Sequence, residues 1–263
     1  MPAISILFHD VVNEAEADRS GFAGSDANIY KLEPGDFEEH LSAIDRAFGA
    51  KPVSVESCHN SVLDGQGLLL TFDDGGESAY PLIAELLAKR GWIGHFFITA
   101  GFVGRPGFVT KHSIRELRAR GHVIGSHSFT HPSRMSACSE REIYEEWQRS
   151  INFLSDVLGE PVHTASVPGG YFSSRVARAA TAAGIKYLFI SEPTAGCHSQ
   201  QGCLIFGRYT IWRGMAAEVA AGIAVGRRVP RWKQWIWWNT KKVAKMVGGD
   251  SYVKIRKSLL RNS

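Results

Sequence analysis

Two adjacent carboxylates follow the apolar run Gly-Leu-Leu-Leu-Thr-Phe, where Asp73 and Asp74 precede Gly75. Carboxylates that leave a buried strand side by side repel each other and are costly to desolvate unless positive charge compensates them. A divalent cation would supply that charge, with one Asp as its ligand and the other free to act as a base. The same residues would also suit an exposed turn that caps a following helix, because Asp-Gly is common in turns.

A pair of histidines occurs about fifty residues later, in the segment Ser-His-Ser-Phe-Thr-His that ends at His131. His127 and His131 are four residues apart, so both side chains would lie on one face of a helical turn, within reach of one ion. The chain has ten His, and a pair at this spacing carries little weight alone. Two imidazoles with one carboxylate, however, form a facial triad with coordination positions open for water and substrate, which is typical of a catalytic metal site.

Short apolar runs that alternate with helical patterns must position these residues. Strands are predicted over residues 4–8, 67–72, 93–99, 123–126, 163–167, 186–190 and 204–212. Helices are predicted from Pro34 onward and over residues 80–90, 111–120, 139–158 and 173–183. This alternation is typical of parallel βαβ units and predicts an α/β fold. About seven units in residues 1–226 favour a barrel, although a doubly wound sheet has the same local pattern.

In such a barrel the functional residues lie at the carboxyl ends of the strands. The polar and glycine-rich positions of this chain follow that rule. His9 follows the first predicted strand, Asp73 and Asp74 the second, His127 a middle strand and Pro168-Gly169-Gly170 a later one. This shared placement favours one common site.

Together, Thr-Phe-Asp-Asp-Gly and Ser-His-Ser-Phe-Thr-His resemble the motifs of the polysaccharide deacetylase family, the family-four carbohydrate esterases, and the likeness covers most of residues 1–226. The resemblance implies a distorted (β/α) barrel of about seven parallel strands that holds a divalent metal, commonly zinc. It also implies that Asp74, His127 and His131 are the metal ligands and that Asp73 is the general base that activates water.

The segment Val-Pro-Gly-Gly-Tyr that ends at Tyr171 resembles the third motif of the family, which lines the substrate groove and supplies a backbone N–H to the oxyanion. Alignment on Pro168 places that donor at Gly169, with Gly170 and Tyr171 beside it in the groove. A plain strand-to-helix turn would have the same composition.

The sequence departs from the family pattern in two places. The third motif usually begins with an Arg that positions the base, and here Ala165 or Ser166 stands there, so Arg208 is the predicted substitute. The late Leu-x-His that carries the family's general acid is absent from the C-terminal half, but Leu7-Phe8-His9 has that pattern at the start of the chain. Some branches of the family have circularly permuted motifs. Since the first and last strands of a closed barrel are neighbours, His9 is the predicted general acid.

Charge is distributed unevenly along the chain. Residues 227–263 contain eleven Lys and Arg but one acid, which gives this segment a charge of +10 and residues 1–226 a charge of −6. Residues 230–247 contain four of the seven Trp. As a helix they would place Trp232, Trp235 and Ile236 on one stripe with Lys233 outside it, a pattern that suits an anionic membrane surface. A terminal helix whose Trp face packs on the barrel fits equally well. Nothing else in the sequence supports a nucleic-acid surface.

The beginning of the chain and its cysteines bear on the compartment. No cationic segment followed by an apolar stretch and a cleavage site occurs at the N-terminus, so no signal peptide is predicted. Four irregularly spaced cysteines do not resemble a disulfide framework. Cys197 and Cys203 fit a loop or hairpin better than a zinc knuckle. We therefore expect a reduced, cytoplasmic protein, peripheral at the inner membrane face if the tail binds lipid.

The expected function is removal of N-acetyl groups from an N-acetylhexosamine unit of a bacterial polysaccharide or lipid-linked saccharide. Two alternatives remain. A relative in the same family could cleave a non-sugar amide, such as a cyclic ureide or imide. A degenerate, non-catalytic module could bind glycans, but it would not need the base Asp73 beside a metal site.

Overall fold

The computed structural model describes residues 3–60 and 67–240. Its strands are β1 (Ala3–Phe8), β2 (Gly67–Phe72), β3 (His95–Ile98), β4 (Val123–Ser126), β5 (Thr164–Ser166), β6 (Tyr187–Phe189), β7 (Cys197–Gln200), β8 (Cys203–Phe206) and β9 (Tyr209–Thr210). Its helices are α1 (Ser25–Asn28), α2 (Pro34–Phe48), α3 (Val55–Asn60), α4 (Ile83–Ala88), α5 (Lys111–Ala119), α6 (Glu140–Leu158), α7 (Ser174–Ala182), α8 (Ala217–Ala224) and α9 (residues 228–240).

The strands form one sheet in the order β7-β8-β6-β5-β4-β3-β2-β1-β9. Every neighbouring pair is parallel except the β7–β8 hairpin. From β1 to β6 the strand order follows the chain in one direction, whereas a doubly wound sheet would reverse direction at a switch point. The predicted α/β architecture with a mostly parallel, curled sheet is therefore confirmed, and the doubly wound alternative is wrong.

The last predicted strand, residues 204–212, is divided in two. β8 pairs with β6, but β9 pairs with β1, and only Gly207 and Arg208 separate them. A Cβ atom at Gly207 would lie 2.0 Å from Thr194 Oγ1 and 2.5 Å from the Glu192 carbonyl oxygen, so this crossing requires glycine. The two-residue link thus joins the two ends of the parallel sheet, and the first and last strands are neighbours as expected.

Helices cover the sheet where the sequence predicts them, and α1, α3 and α8 are additional. The helix α2 buries Phe37, Leu41 and Ile44. Ser139 caps α6 in a reciprocal capping box with Glu142, which satisfies backbone N–H groups at the start of the helix. The additional helix α8 consists mainly of buried alanines and packs on α2. It has no polar face, so no helical periodicity marks it in the sequence.

The cysteine-containing segment, for which the sequence predicted a loop or a hairpin, is a hairpin. Cys197 pairs with Phe206 and Gln200 with Cys203 across β7 and β8. Both thiols are free, and the buried Cys203 Sγ lies 3.2 Å from the Ile185 carbonyl oxygen. Among the described residues no zinc knuckle forms here, since the only group of potential metal ligands lies elsewhere in the fold.

The basic tail begins as helix α9, and the remaining predicted helical residues, 241–247, lie outside the described residues. The inner face of α9 docks on the last strand: Arg231 Nε donates to Tyr209 Oη at 2.9 Å and Gln234 Nε2 to the Thr210 carbonyl at 2.9 Å. Its outer face exposes Trp232, Trp235 and Ile236. Within residues 3–60 and 67–240, no helix combines the length and apolar character that crossing a membrane requires.

The largest buried side chain offers a test of the packing. Trp147 on α6 is fully buried in the main core, whereas Tyr144 on the same helix is exposed. We expect Trp147→Ala to lower the free energy of unfolding by about 3–5 kcal/mol, because it removes apolar contacts and leaves a cavity. The control Tyr144→Ala should change it by about 0.5 kcal/mol or less. Urea unfolding measures both, and similar losses would contradict this packing.

Candidate metal and catalytic site

Three potential metal ligands converge at the carboxyl ends of β2 and β4. One ligand atom each from Asp74, His127 and His131 lies within 4.8 Å of the other two. The Nε2 atoms of His127 and His131 are 3.4 and 3.6 Å from the Asp74 carboxylate oxygen Oδ1. Ligands that bind one ion at about 2.0–2.2 Å in tetrahedral geometry are separated by similar distances, so the three side chains fit a common ion.

The backbone of this cluster is unusual. Four residues other than glycine have positive φ in the described part of the chain, and three of them belong here: Asp74 at 75°, Ser128 at 65° and His131 at 58°. Such conformations are uncommon for residues with a Cβ atom and concentrate at functional sites. The four-residue spacing of His127 and His131 predicts a helical turn between them, and this prediction is wrong. Residues 127–131 form a loop whose left-handed residues bring the imidazoles together with 5.0 Å between ring centroids.

Neighbouring elements hold that loop in place. The His127 Nδ1 atom is 3.0 Å from the Ser166 carbonyl oxygen, which directs Nε2 toward Asp74 and favours the tautomer protonated on Nδ1. The Glu146 carboxylate on α6 accepts hydrogen bonds from the backbone N–H groups of Phe129 and Thr130 at 2.9 and 2.7 Å. The loop is therefore anchored on β5 and on α6.

Asp73 is held by the side chain of Arg208. The guanidinium donates from Nη1 to Asp73 Oδ1 at 2.7 Å and from Nη2 to Oδ2 at 2.8 Å, and Arg208 is fully buried. Ser166 completes the contact: its hydroxyl accepts from Arg208 Nη2 at 2.7 Å and donates to Asp73 Oδ2 at 3.0 Å. The residue predicted to substitute for the missing third-motif Arg thus contacts Asp73, and Ser166 stands where that Arg was expected.

These contacts determine the charge of both carboxylates. Burial alone would raise the pKa of Asp73, but the Arg208 guanidinium together with His127 and His9 outweighs it, so the pKa lies below the usual value. The pKa of Asp74 is also lowered, because hydrogen bonding by His127 and the nearby imidazoles outweigh its burial. Both residues therefore stay ionised at neutral pH, and two adjacent negative charges face the cluster of imidazoles.

His9 lies at the end of β1, close enough to Asp73 and Asp74 for their charges to act on it. Its ring stacks on Tyr30 with 4.9 Å between centroids, and no described residue forms a hydrogen bond with its buried Nδ1 atom. Burial lowers the pKa of His9 despite the opposing carboxylates. The structure thus brings the N-terminal His to the same site as the residues of β2 and β4.

The Val-Pro-Gly-Gly-Tyr segment that ends at Tyr171 forms a tight turn after β5. Gly169 and Gly170 both have left-handed φ, 60° and 68°. A Cβ atom on Gly170 would lie 2.9 Å from the Trp238 ring of helix α9, and one on Gly169 would lie 3.2 Å from the Tyr171 ring. The predicted groove residues therefore stand at the carboxyl end of the sheet, next to the tail helix, and the role of Gly169 as a donor stays a prediction.

A buried charge cluster next to His9 was not predicted. Asp10 accepts hydrogen bonds from the hydroxyls of Ser20 (2.8 Å) and Ser78, and burial raises its pKa to about 6. The ammonium group of Lys31 donates to the carbonyls of Ala17, Ser20 and Phe22 at 2.5–2.7 Å. The Phe22 ring packs on His131 with 4.6 Å between centroids, so this loop contacts the metal-ligand cluster. No local sequence signal distinguishes a buried Lys from an exposed one.

Comparison with known proteins identifies similar deacetylases. A family model described as polysaccharide deacetylase matches residues 61–188. The peptidoglycan-N-acetylmuramic acid deacetylase PdaA of Bacillus subtilis (strain 168) is 30% identical over 126 residues, 47% of this chain and 46% of that relative. The alignment therefore spans about half of the relative.

Two solved structures share the fold. The deacetylase PplD of Streptococcus pyogenes superposes with a TM-score of 0.70 at 18% identity, over 83% of this chain and 96% of that one. IcaB from Ammonifex degensii gives 0.70 at 22% identity, over 85% of this chain and 97% of that one. At these identities the likeness concerns the fold alone.

The Arg208–Asp73 contact can be tested by a double-mutant cycle. Arg208→Gln leaves a buried carboxylate without its cationic partner and should lower the free energy of unfolding by about 3–5 kcal/mol. Combination with Asp73→Asn should cost at least about 1 kcal/mol less than the sum of the single losses, because no buried charge remains unpaired. Arg178→Gln, which breaks an exposed pair with Glu140, is the control and should leave the free energy of unfolding nearly unchanged. Additive losses in the cycle would contradict a coupled pair.

Proposed function

We propose that the chain is a metal-dependent N-deacetylase of the polysaccharide deacetylase family, whose model matches residues 61–188. Its substrate would be an N-acetylhexosamine unit of a bacterial polysaccharide or lipid-linked saccharide. The observation that carries the proposal is the convergence of Asp74, His127 and His131 beside the buried Asp73–Arg208 pair. In this proposal residues 1–226 are the catalytic barrel and residues 227–263 a basic tail.

The chemistry of the ligand set favours a zinc ion. Two imidazole nitrogens and one carboxylate oxygen suit a borderline-soft ion, whereas Mg²⁺ and Ca²⁺ prefer oxygen ligands alone. A divalent ion bound there would polarise the acetyl carbonyl and lower the pKa of water. Asp74 would contribute its negative charge to that ion, and the Ser166 carbonyl would keep Nε2 of His127 directed at it.

Asp73 would act as the general base that takes a proton from the attacking water. Arg208 and Ser166 fix both of its oxygens, which removes the cost of orienting the carboxylate during the reaction. The lowered pKa keeps Asp73 ionised at neutral pH and ready to accept a proton.

The leaving amine requires a proton, and His9 would deliver it. Since burial lowers the pKa of His9, the imidazole is neutral at rest, and the proton that it passes to the amine would be the one that Asp73 takes from the attacking water. A backbone N–H of the third motif, assigned to Gly169, would stabilise the oxyanion. Gly170 and Tyr171 would contact the sugar beside it.

Both alternatives predict different behaviour. A glycan-binding module would gain nothing from a buried carboxylate fixed by Arg208 next to a metal-ligand cluster, so the geometry favours an enzyme. A relative that cleaves a non-sugar amide would share the same site. Acetate release from a panel of N-acetylated sugars, compared with a cyclic imide, separates the two.

We further propose that the outer face of the tail contacts an anionic membrane at the cytoplasmic face. Trp232 and Trp235 are 63% and 45% exposed, and the tail carries a charge of +10. Monomers rarely leave a large apolar patch in water without a partner. Docking on the barrel and contact with lipid are compatible, because α9 uses its inner face for the first and would use its outer face for the second.

Substitutions in the site should separate metal binding from turnover. We expect Asp73→Asn to reduce acetate release at least about 100-fold while it retains the metal, because only the base is lost. His131→Ala should lose both the metal and turnover, because one of three ligands is gone. Metal content is measured by mass spectrometry on the purified variants. Near-full activity of Asp73→Asn would show that Asp73 is not the base.

Membrane contact can be tested by sedimentation with vesicles that contain phosphatidylglycerol. The wild type should co-sediment at low salt and dissociate as salt rises, since basic residues act over about a Debye length. The triple variant Trp232→Ser, Trp235→Ser, Ile236→Ser should bind at least about tenfold more weakly. Unchanged binding by this variant would exclude the outer face of α9 as the contact.

A further inference from the structure

A groove of about 860 Å³ lies between α8 and α9, outside the metal-ligand cluster. Its apolar lining includes Trp212, Met215, Val219, Val229 and Trp237. Val229 and Trp237 are 63% and 54% exposed, so a substantial part of this apolar surface faces solvent. Concave, mostly apolar surfaces with a few polar groups are typical of ligand sites.

Basic side chains accompany the apolar lining. Arg227, Arg228 and Lys233 line the groove, against one acid, Glu218. Along α9 the lining residues Val229, Lys233 and Trp237 recur every four residues and therefore share one flank of the helix. The combination of an apolar channel with three cations suits an amphiphile that has one long chain and a compact anionic group.

Backbone hydrogen bonds connect Trp212, one of the lining residues, to the segment that carries His9. Trp212 directly follows the segment in which the Ile211 N–H donates to the Leu7 carbonyl at 2.9 Å, and His9 is two residues beyond Leu7. The neighbouring Arg213 N–H donates to the Ile29 carbonyl, next to the Tyr30 that stacks on His9. A ligand in the groove would therefore have one end near the side of the site that carries His9.

We propose that this groove binds the lipid carrier of the substrate, with the apolar chain along Val219, Val229 and Trp237 and a phosphate among Arg227, Arg228 and Lys233. The inference rests on the proposed function and specifies its lipid-linked branch. A bilayer would instead meet the outer flank of α9, where Trp232 and Trp235 lie, because a flat surface cannot enter a groove.

The test uses the full chain and decyl phosphate below its micelle concentration, with binding followed by calorimetry. We expect saturable binding of one molecule per chain. Trp237→Ala should weaken it about tenfold, because this substitution removes one wall of the channel. Trp235→Ala is the matched control, since it removes an exposed Trp from the other flank, and it should change the dissociation constant less than about twofold.

Further probes examine each part of the ligand. Decyl glucoside, which has the chain without the charge, and inorganic phosphate, which has the charge without the chain, should both bind at least about tenfold more weakly than decyl phosphate. Lys233→Gln should weaken the binding of decyl phosphate and reduce the salt dependence of that binding. Val229→Asp, which places a carboxylate in the channel, provides a second variant at an exposed position.

Several outcomes would overturn the proposal. These are absence of saturable binding, equal binding by Trp237→Ala and wild type, or equal affinity for decyl glucoside. A dimer in sedimentation that Trp237→Ala dissociates would assign the groove to a second copy of the chain instead. Because these measurements need no turnover, a failure here leaves the deacetylase proposal standing. Conversely, if the wild type binds decyl phosphate but releases no acetate, that result would count against the deacetylase proposal alone.

Discussion

Arg208 and Asp73 form a buried, bidentate ion pair at the point where the ends of the sheet meet. Asp73 directly follows β2, and Arg208 lies on the two-residue link between β8 and β9. The same guanidinium donates from Nε to the Ile190 carbonyl after β6 and from Nη2 to Ser166 on β5. Because a buried charge without its partner costs several kcal/mol, these strand ends are held in one arrangement.

That arrangement also explains how two adjacent carboxylates can coexist in the interior. Arg208 compensates much of the charge of Asp73, while the imidazoles compensate Asp74 and also act on Asp73. The two residues share a strand end but face different partners: Asp73 faces the guanidinium, whereas Asp74 adopts left-handed φ and faces the histidines. The proposed division of roles between base and ligand therefore rests on geometry that the paired Asp residues alone do not specify.

The features that could be predicted from the sequence are those that a local residue pattern determines. Buried strands such as β2 and β4 are short apolar runs, and polar residues at their ends marked the site. Contacts between distant segments could not be predicted in the same way. The division of residues 204–212 depends on crowding at Gly207, and burial of Lys31 depends on three carbonyls that a loop presents to it. The helical turn predicted between the two histidines was wrong, because left-handed φ at Ser128 and His131 brings the two imidazoles together without a helix.

The position of β1 links both ends of the chain to the site. β1 lies between β2, which carries Asp73, and β9, which follows Arg208. A parallel strand at this position presents His9 at the same edge of the sheet whether it comes first or last in the sequence, so the order of motifs can change while the site is kept. The strand that closes the sheet also leads into Trp212 and the groove, and α9 then returns to place Trp238 against Gly170. The segment that follows the proposed site motifs is therefore connected to the site at two places, through the pairing of β9 with β1 and through Trp238.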